Sequence, residues 1–194
     1  AVAPEKLEPF DRLLVARAAL LVAECRKAYD RFEFHTVARR LREFATTDLS
    51  ALWCDVRKDA LFVLGKDDPA RRSAQTAAYR IAEALALLLH PICPFTAEEI
   101  WEALPGHEGD TPALATWDDL RLATLSDEEH AAWGRLLDVR AAFVGALEPL
   151  RRDGVVGTSA QARAEVEKTV ALVADLATAG LDAARFAELL IVPE

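Results

Sequence analysis

The stretch HPICPFTAEEIWEAL, residues 90–104, stops one helix and starts another. Pro91 lacks a backbone N–H and clashes with the preceding turn, so the apolar run before it cannot continue through it. Thr96 stands three residues before Glu99, the spacing of a capping box, and Phe95 and Ile100 flank it as a hydrophobic staple. The stretch predicts a hard corner between two packed helices. Phe95 packs into that corner, and the new helix runs over 97–104.

Outward from the corner, apolar residues recur at helical spacing. Leu7, Leu14, Leu21 and Ala28 repeat every seven, interleaved with Ala18, Cys25 and Phe32, which predicts a first helix over 7–32. Phe34, Val37, Leu41 and Phe44 begin a second, whose stripe continues through Leu49, Leu52 and Val56. The stretch ATTDLS within it is poor in helix formers, and Asp48 is placed to cap a restart there. Pro69, after the loop GKDDP, opens a third helix that buries Ala74, Ala78, Ile81, Leu85 and Leu88 and ends at Pro91. Residues 105–125 read as a long connection pinned by Leu114 and Trp117. Ser126 and Glu129 form a second capping-box spacing, and a fifth helix follows, closed by Gly154.

After Gly157 the period changes. AEVEKTVALVA (164–174) is rich in β-branched residues and predicts a strand. LDAARFAEL predicts a short helix capped by Asp182, and LLIVPE an apolar strand ended by Pro193. The expected fold class is therefore mainly α. A helical bundle occupies 1–157, and a small β-α-β appendage, an incomplete α/β junction subdomain, occupies 158–194.

The 194 residues are 52% hydrophobic and carry 23 basic against 32 acidic residues, a net charge of −9. That balance opposes non-specific coating of nucleic acid, and DNA is not an expected partner. Lys stands only at 6, 27, 58, 66 and 168, so most of the cations are Arg. Cys25, Cys54 and Cys93 form no Cys-x-x-Cys pair, and His35, His90, His107 and His130 show no metal-ligand spacing. No metal is expected, and reduced thiols place the protein in the cytoplasm. No apolar run is long enough to span a membrane, so no membrane partner is expected. A start at Ala1 and the lack of any Met suggest a piece of a longer chain. There is no Gly-rich phosphate loop and no nucleophile elbow, so no catalytic residue is assigned.

One pattern points to a ligand. On a continuous second helix, Arg39, Arg42, Thr46, Trp53 and Arg57 fall on one stripe, opposite the apolar side. Cations flanking an aromatic ring suit single-stranded RNA, which offers phosphates to pair and bases to stack. Arg71 and Arg72, at the start of the third helix, are additional candidates. The same spacing also fits a solvated Arg face with Trp53 tucked against a neighbouring helix.

The corner carries a resemblance as well. LLLHPICPFTAEEIWEALPG is similar to the anticodon-binding helical domain of class I aminoacyl-tRNA synthetases of the isoleucyl, valyl and leucyl group. YDRFEFHTVARRLREFATTDLSALWCDVRKDALF (29–62) and DDPARRSAQTAAYRIAEAL (67–85) resemble the isoleucyl members, as do TPALATW (111–117) and RRDGVVGTSAQARAEV (151–166). ELLIVPE fits the same group with Pro193 where Ser is usual. The resemblance implies a C-terminal tRNA-binding portion of an ATP-dependent synthetase. The implied partners are the anticodon stem-loop of tRNA-Ile and the rest of the same polypeptide. It further implies that catalysis, with ATP and Mg, lies in a domain bearing HIGH and KMSKS motifs, neither of which is present here. A structural Zn is implied for some full-length members. A valyl or leucyl equivalent, or a helical protein-interaction module without an RNA role, remains open at this point.

Overall fold

The computed structural model describes residues 2–107, 110–158 and 161–191. Two compact units divide between Thr124 and Leu125. The first holds α1 (Pro9–Asp30), α2 (Phe34–Glu43), a π-helical segment (Phe44–Cys54), α3 (Asp55–Phe62), α4 (Pro69–Leu89) and α5 (Pro94–Ala103), with short 3₁₀ turns at its start and in the 105–124 connection. The second holds α6 (Asp127–Arg152), α7 (Val170–Ala179) and α8 (Ala183–Leu190). The expected boundary at 157/158 falls inside the second unit.

In the first unit α1 packs on α2, the π segment and α4, while α4 also packs on α3 and α5. The seven-residue repeat of α1 faces inward as expected. Leu7, Leu14, Leu21, Ala28, Ala18 and Cys25 are buried. Phe32 is not. The helix ends at Asp30, Phe32 adopts a positive φ of 57°, and its ring is 78% exposed. Asp68 caps α4 by accepting from Ala70 N at 2.8 Å, and Pro69 takes the first helical position, where its missing N–H is harmless.

The centre of this unit is polar. Asp11 is fully buried and accepts from Trp53 Nε1 at 2.9 Å, Arg57 Nε at 3.0 Å, Arg57 Nη2 at 2.9 Å and Ser73 Oγ at 2.6 Å. Arg57 Nη2 also donates to Ala70 O at 3.1 Å. Burial pushes the Asp11 carboxyl above its ordinary value, while the Arg57 charge and the hydrogen bonds pull it down. One carboxylate thus ties α1 to the π segment, α3 and α4.

The second helix runs through ATTDLS without a break, as the stripe requires. Asp48 does not cap a restart; it pairs with Arg17. The chain instead widens into π-helix for 11 residues. Thr46 Oγ1 donates to Arg42 O at 2.9 Å, so a hydroxyl competes for a carbonyl of the α ladder where the widening begins.

The corner also differs from its reading. α5 begins at Pro94, whose fixed φ suits the first helical position, so Thr96 lies inside the helix and cannot cap it. The capping box does not form, and Phe95 is 86% exposed instead of stapled. Trp101 is buried and packs with Ala86 and Leu87, and Trp117 covers this cluster. Trp117 pins the connection as expected, with Nε1 donating to Leu87 O at 3.3 Å, but Leu114 is 81% exposed.

In the second unit the Ser126–Glu129 box caps α6 as read, Gly154 follows its end at a φ of 71°, and Asp182 caps α8. The β-α-β expectation is corrected: no strand occurs among the described residues. Thr169 Oγ1 accepts from Leu172 N at 3.1 Å and Gly180 closes the helix in the left-handed region, so a start and a stop bracket α7. Those signals, with packing on α6, override the β-branched composition. Leu189 and Leu190 lie in the last turn of α8 instead of in a strand. The rest of LLIVPE beyond Ile191 lies outside the described residues. Arg135 grips Asp175 with two bonds of 2.9 and 2.6 Å, and Arg140 donates to Leu189 O.

Two outcomes are expected. Asp11→Ala and Arg57→Ala should each destabilise the chain by about 3–5 kcal/mol, because each strands a buried charge, and the double variant should cost less than the sum. Urea melts check this; an Asp11→Ala midpoint equal to the parent's would contradict it. Cys25 is fully buried with its thiol pushed up to about 11, mainly by burial, whereas Cys54 and Cys93 are exposed. Iodoacetamide in native buffer should therefore add two adducts by mass, and a third only in urea.

Candidate nucleic-acid interface

Helix α2 turns Val37 and Leu41 inward, so His35, Arg39 and Arg42 are left on its outer face. Arg39 is 61% exposed and only loosely held, 3.9 Å from Glu43. Arg42 is exposed, with no ion-pair partner among the described residues. Arg40 lies to the side and is committed to the protein. It donates to Glu24 through Nε at 2.8 Å and Nη2 at 2.5 Å, and to Glu43 at 2.8 Å, bonds that raise its pKa.

The stripe read from the sequence does not stay on one face. Trp53 and Arg57 are 2% and 3% exposed and both engage Asp11. Their assignment as RNA contacts is corrected: neither can stack on a base or meet a phosphate without leaving the core. The cause is the π-helical segment. Its i→i+5 turns hold more residues than α turns, so over its length the helix slips by roughly half a turn against an α phase. Residues 53 and 57, outward on an α-helix in phase with Val37 and Leu41, arrive inward.

The remaining candidates lie elsewhere. Arg71 is half-buried, with Nη1 donating to Leu64 O at 2.6 Å. Arg72 is exposed near Lys66 at the start of α4. That end of α4 is the one beside the start of α1, where Glu8 N donates to Ser73 Oγ at 2.7 Å. Arg39 and Arg42 therefore stand together, Trp53 and Arg57 stand together in the core, and Arg71 and Arg72 form a separate spot.

Cations missed by the stripe extend the α2 face around the α1–α2 corner. Lys27 is exposed, Arg31 is 64% exposed at 3.3 Å from Glu33, and Arg26 is 52% exposed and pairs with Asp118 at 2.8 Å. Residues 26–43 carry six Lys or Arg against three Asp or Glu, within a chain of net charge −9. A local charge count would have found this face; the search for a helical stripe passes over it because the corner interrupts the helix. The face offers cations to a polyanion. Among the described residues no cluster of three His, Cys, Asp or Glu could hold a metal ion, and no helix is long and apolar enough to cross a membrane.

Comparison with known proteins adds to this geometry. The family model described as the anticodon-binding domain of tRNA ligase matches residues 11–167. An isoleucine–tRNA ligase of Alkalilimnicola ehrlichii is 44% identical over 169 residues, 86% of this chain and 18% of that protein. One from Halorhodospira halophila is 42% identical over 188 residues, 96% of this chain and 20% of that protein, and one from Shewanella piezotolerans is 38% identical over 187, 95% and 20%. The chain spans about a fifth of the length of these curated relatives. With a family match running through α1 to α6 and such identities along nearly its whole length, the chain belongs to the family of anticodon-binding domains of tRNA ligases.

Proposed function

We propose that this chain is the tRNA-reading portion of an isoleucine–tRNA ligase, that its RNA partner is the anticodon stem-loop of tRNA-Ile, and that it works in the cytoplasm. The observation that carries this reading is the identity of 38–44% to isoleucine–tRNA ligases across 86–96% of the chain. ATP and Mg would act on the remainder of such a ligase, where isoleucine is activated, and any structural Zn would lie there too. The work of this portion is positional. It binds one end of a long RNA so that the other end reaches a distant catalytic centre, and binding energy is thereby spent on orientation.

On this reading Arg39 and Arg42 contact RNA phosphates, with Arg72 and Lys66 as a separate, smaller cationic spot. Trp53 and Arg57 belong to the buried cluster around Asp11 and touch no nucleotide.

The test is titration of a tRNA-Ile transcript against the 194-residue chain at several salt concentrations, beside a transcript with a foreign anticodon. Saturable binding that favours tRNA-Ile is expected, with no isoleucine-dependent ATP–pyrophosphate exchange. Equal affinity for both transcripts would overturn the reading. Arg39→Ala and Arg42→Ala should each weaken binding and lower the salt slope by about 0.7 for every single-strand phosphate left without its cation. Both variants should melt like the parent, since neither side chain is buried.

A further inference from the structure

A cavity of about 280 Å³ lies between α4, α5 and the connection 105–124. Three carboxylates line it, Glu83, Asp110 and Asp119, together with Leu87, Trp101 and His107, and no Lys or Arg does. A phosphate there would meet three negative charges and no cation, so this place does not continue the cationic face of α2. Among the described residues no group of three His, Cys, Asp or Glu could hold a metal ion. The volume falls just below that of drug-sized ligand pockets, about 300–1,000 Å³, which limits an occupant to a small molecule.

The polar atoms around this cavity do not satisfy one another. Trp101 is 3% exposed, yet its Nε1 meets no acceptor among the described residues. His107 Nε2 lies 3.0 Å from Tyr79 OH and 3.4 Å from Glu83 Oε1. A carboxylate only accepts, so Nε2 carries the ring's proton and Nδ1 is left with a lone pair. Nδ1 is buried with no hydrogen-bond partner, and Asp110 Oδ2 stands 3.8 Å away. Two acceptors thus face each other with no donor between them. Glu83 is shared with Arg80 at 3.3 Å and Asp119 with Thr116 Oγ1 at 2.8 Å, whereas Asp110 is 57% exposed and accepts from Thr111 N at 2.9 Å. A buried indole N–H calls for an acceptor, and the pair of His107 Nδ1 and Asp110 Oδ2 calls for a positively charged donor.

We propose that this cavity binds a small organic ammonium that also carries an oxygen acceptor, in the simplest case an amino alcohol. The ammonium donates to His107 Nδ1 and Asp110 Oδ2 and offsets the surrounding carboxylates. The oxygen accepts from Trp101 Nε1, and the carbons between lie against Leu87. Water would meet each of these groups singly, but it would add no positive charge beside three carboxylates. The inference stands apart from the RNA-binding reading above and uses none of its residues.

The experiment follows the indole N–H resonances of the ¹⁵N-labelled 194-residue chain, which has four Trp. The Trp101 signal is assigned by its loss in Trp101→Phe. The probes are ethanolamine, n-propylammonium, which lacks the hydroxyl, and 1-propanol, which lacks the charge, each added at constant ionic strength near neutral pH. Ethanolamine should shift the Trp101 signal saturably and leave the other three in place. Propylammonium should bind roughly 2- to 13-fold more weakly, the range for one neutral hydrogen bond, and 1-propanol should not saturate. Asp110→Asn and Glu83→Gln should each weaken ethanolamine by roughly 13- to 160-fold, the range for a hydrogen bond to a charged group. Asp110 is half exposed, so its variant keeps the test open if Glu83→Gln, which also releases Arg80, fails to fold. A Trp101 signal unmoved by ethanolamine would mean a cavity holding water only and would overturn the inference. So would 1-propanol matching ethanolamine, Asp110→Asn binding as the parent does, or ¹⁵N shifts showing His107 doubly protonated, since Nδ1 would then carry its own proton toward Asp110.

Discussion

The first unit depends on a carboxylate that sees no water. Asp11 stands near the start of α1, and its donors come from the end of the π segment, from α3 and from α4. An apolar core tolerates small slides, because dispersion and burial have little direction. A bidentate Arg–carboxylate pair in a dry interior does not, since a shift that breaks either bond leaves a desolvated charge unmatched. Asp11 therefore fixes the rotation of α3 about its own axis. That rotation determines which residues after the π segment face inward, Trp53 and Arg57 among them.

Most of the bundle is legible in the sequence because helical spacing survives any packing. The repeat of α1, the Pro69 start, the pinning by Trp117 and the Ser126–Glu129 box all reflect local chemistry, and each stands where the spacing places it. The failures share a cause. The cap expected at Phe95 and Thr96 is pre-empted by Pro94, which starts the helix earlier. The strand expected over 164–174 rests on β-branched composition, which reports a preference for half-buried surfaces and yields to a cap, a stop and a partner helix. In each case a residue at the element's boundary outvotes the pattern inside it.

The candidate site is legible only in part. Arg39 and Arg42 stand where the spacing places them because they lie upstream of the π segment, where the α phase still holds. Trp53 and Arg57 do not, because the slip of roughly half a turn carries no strong signature in residue type. Leu49 and Leu52 keep the apolar pattern running on the unslipped phase, although both end only partly buried. The informative residue is Trp53 itself, too large and apolar to be left on an outer face and buried after the slip. The exposure of Phe32 has a different cause. Phe32 continues the heptad of α1 on paper, and only the end of that helix at Asp30 turns it outward.

A net charge of −9 would seem to disfavour an RNA partner, yet what a polyanion meets is the charge within about 8 Å of its path at physiological salt. Along residues 26–43 that local balance is positive, while the rest of the chain holds the acidic excess. The opposite signs serve one end on the proposed reading. Acidic surface elsewhere discourages RNA from settling at random, so orientation is enforced by repulsion as well as by contact. A uniformly basic chain of this size would bind more tightly and less selectively, because every phosphate would find a partner wherever it landed. Phosphate contacts alone also carry little sequence information. Discrimination then has to come from groups that engage base edges or faces.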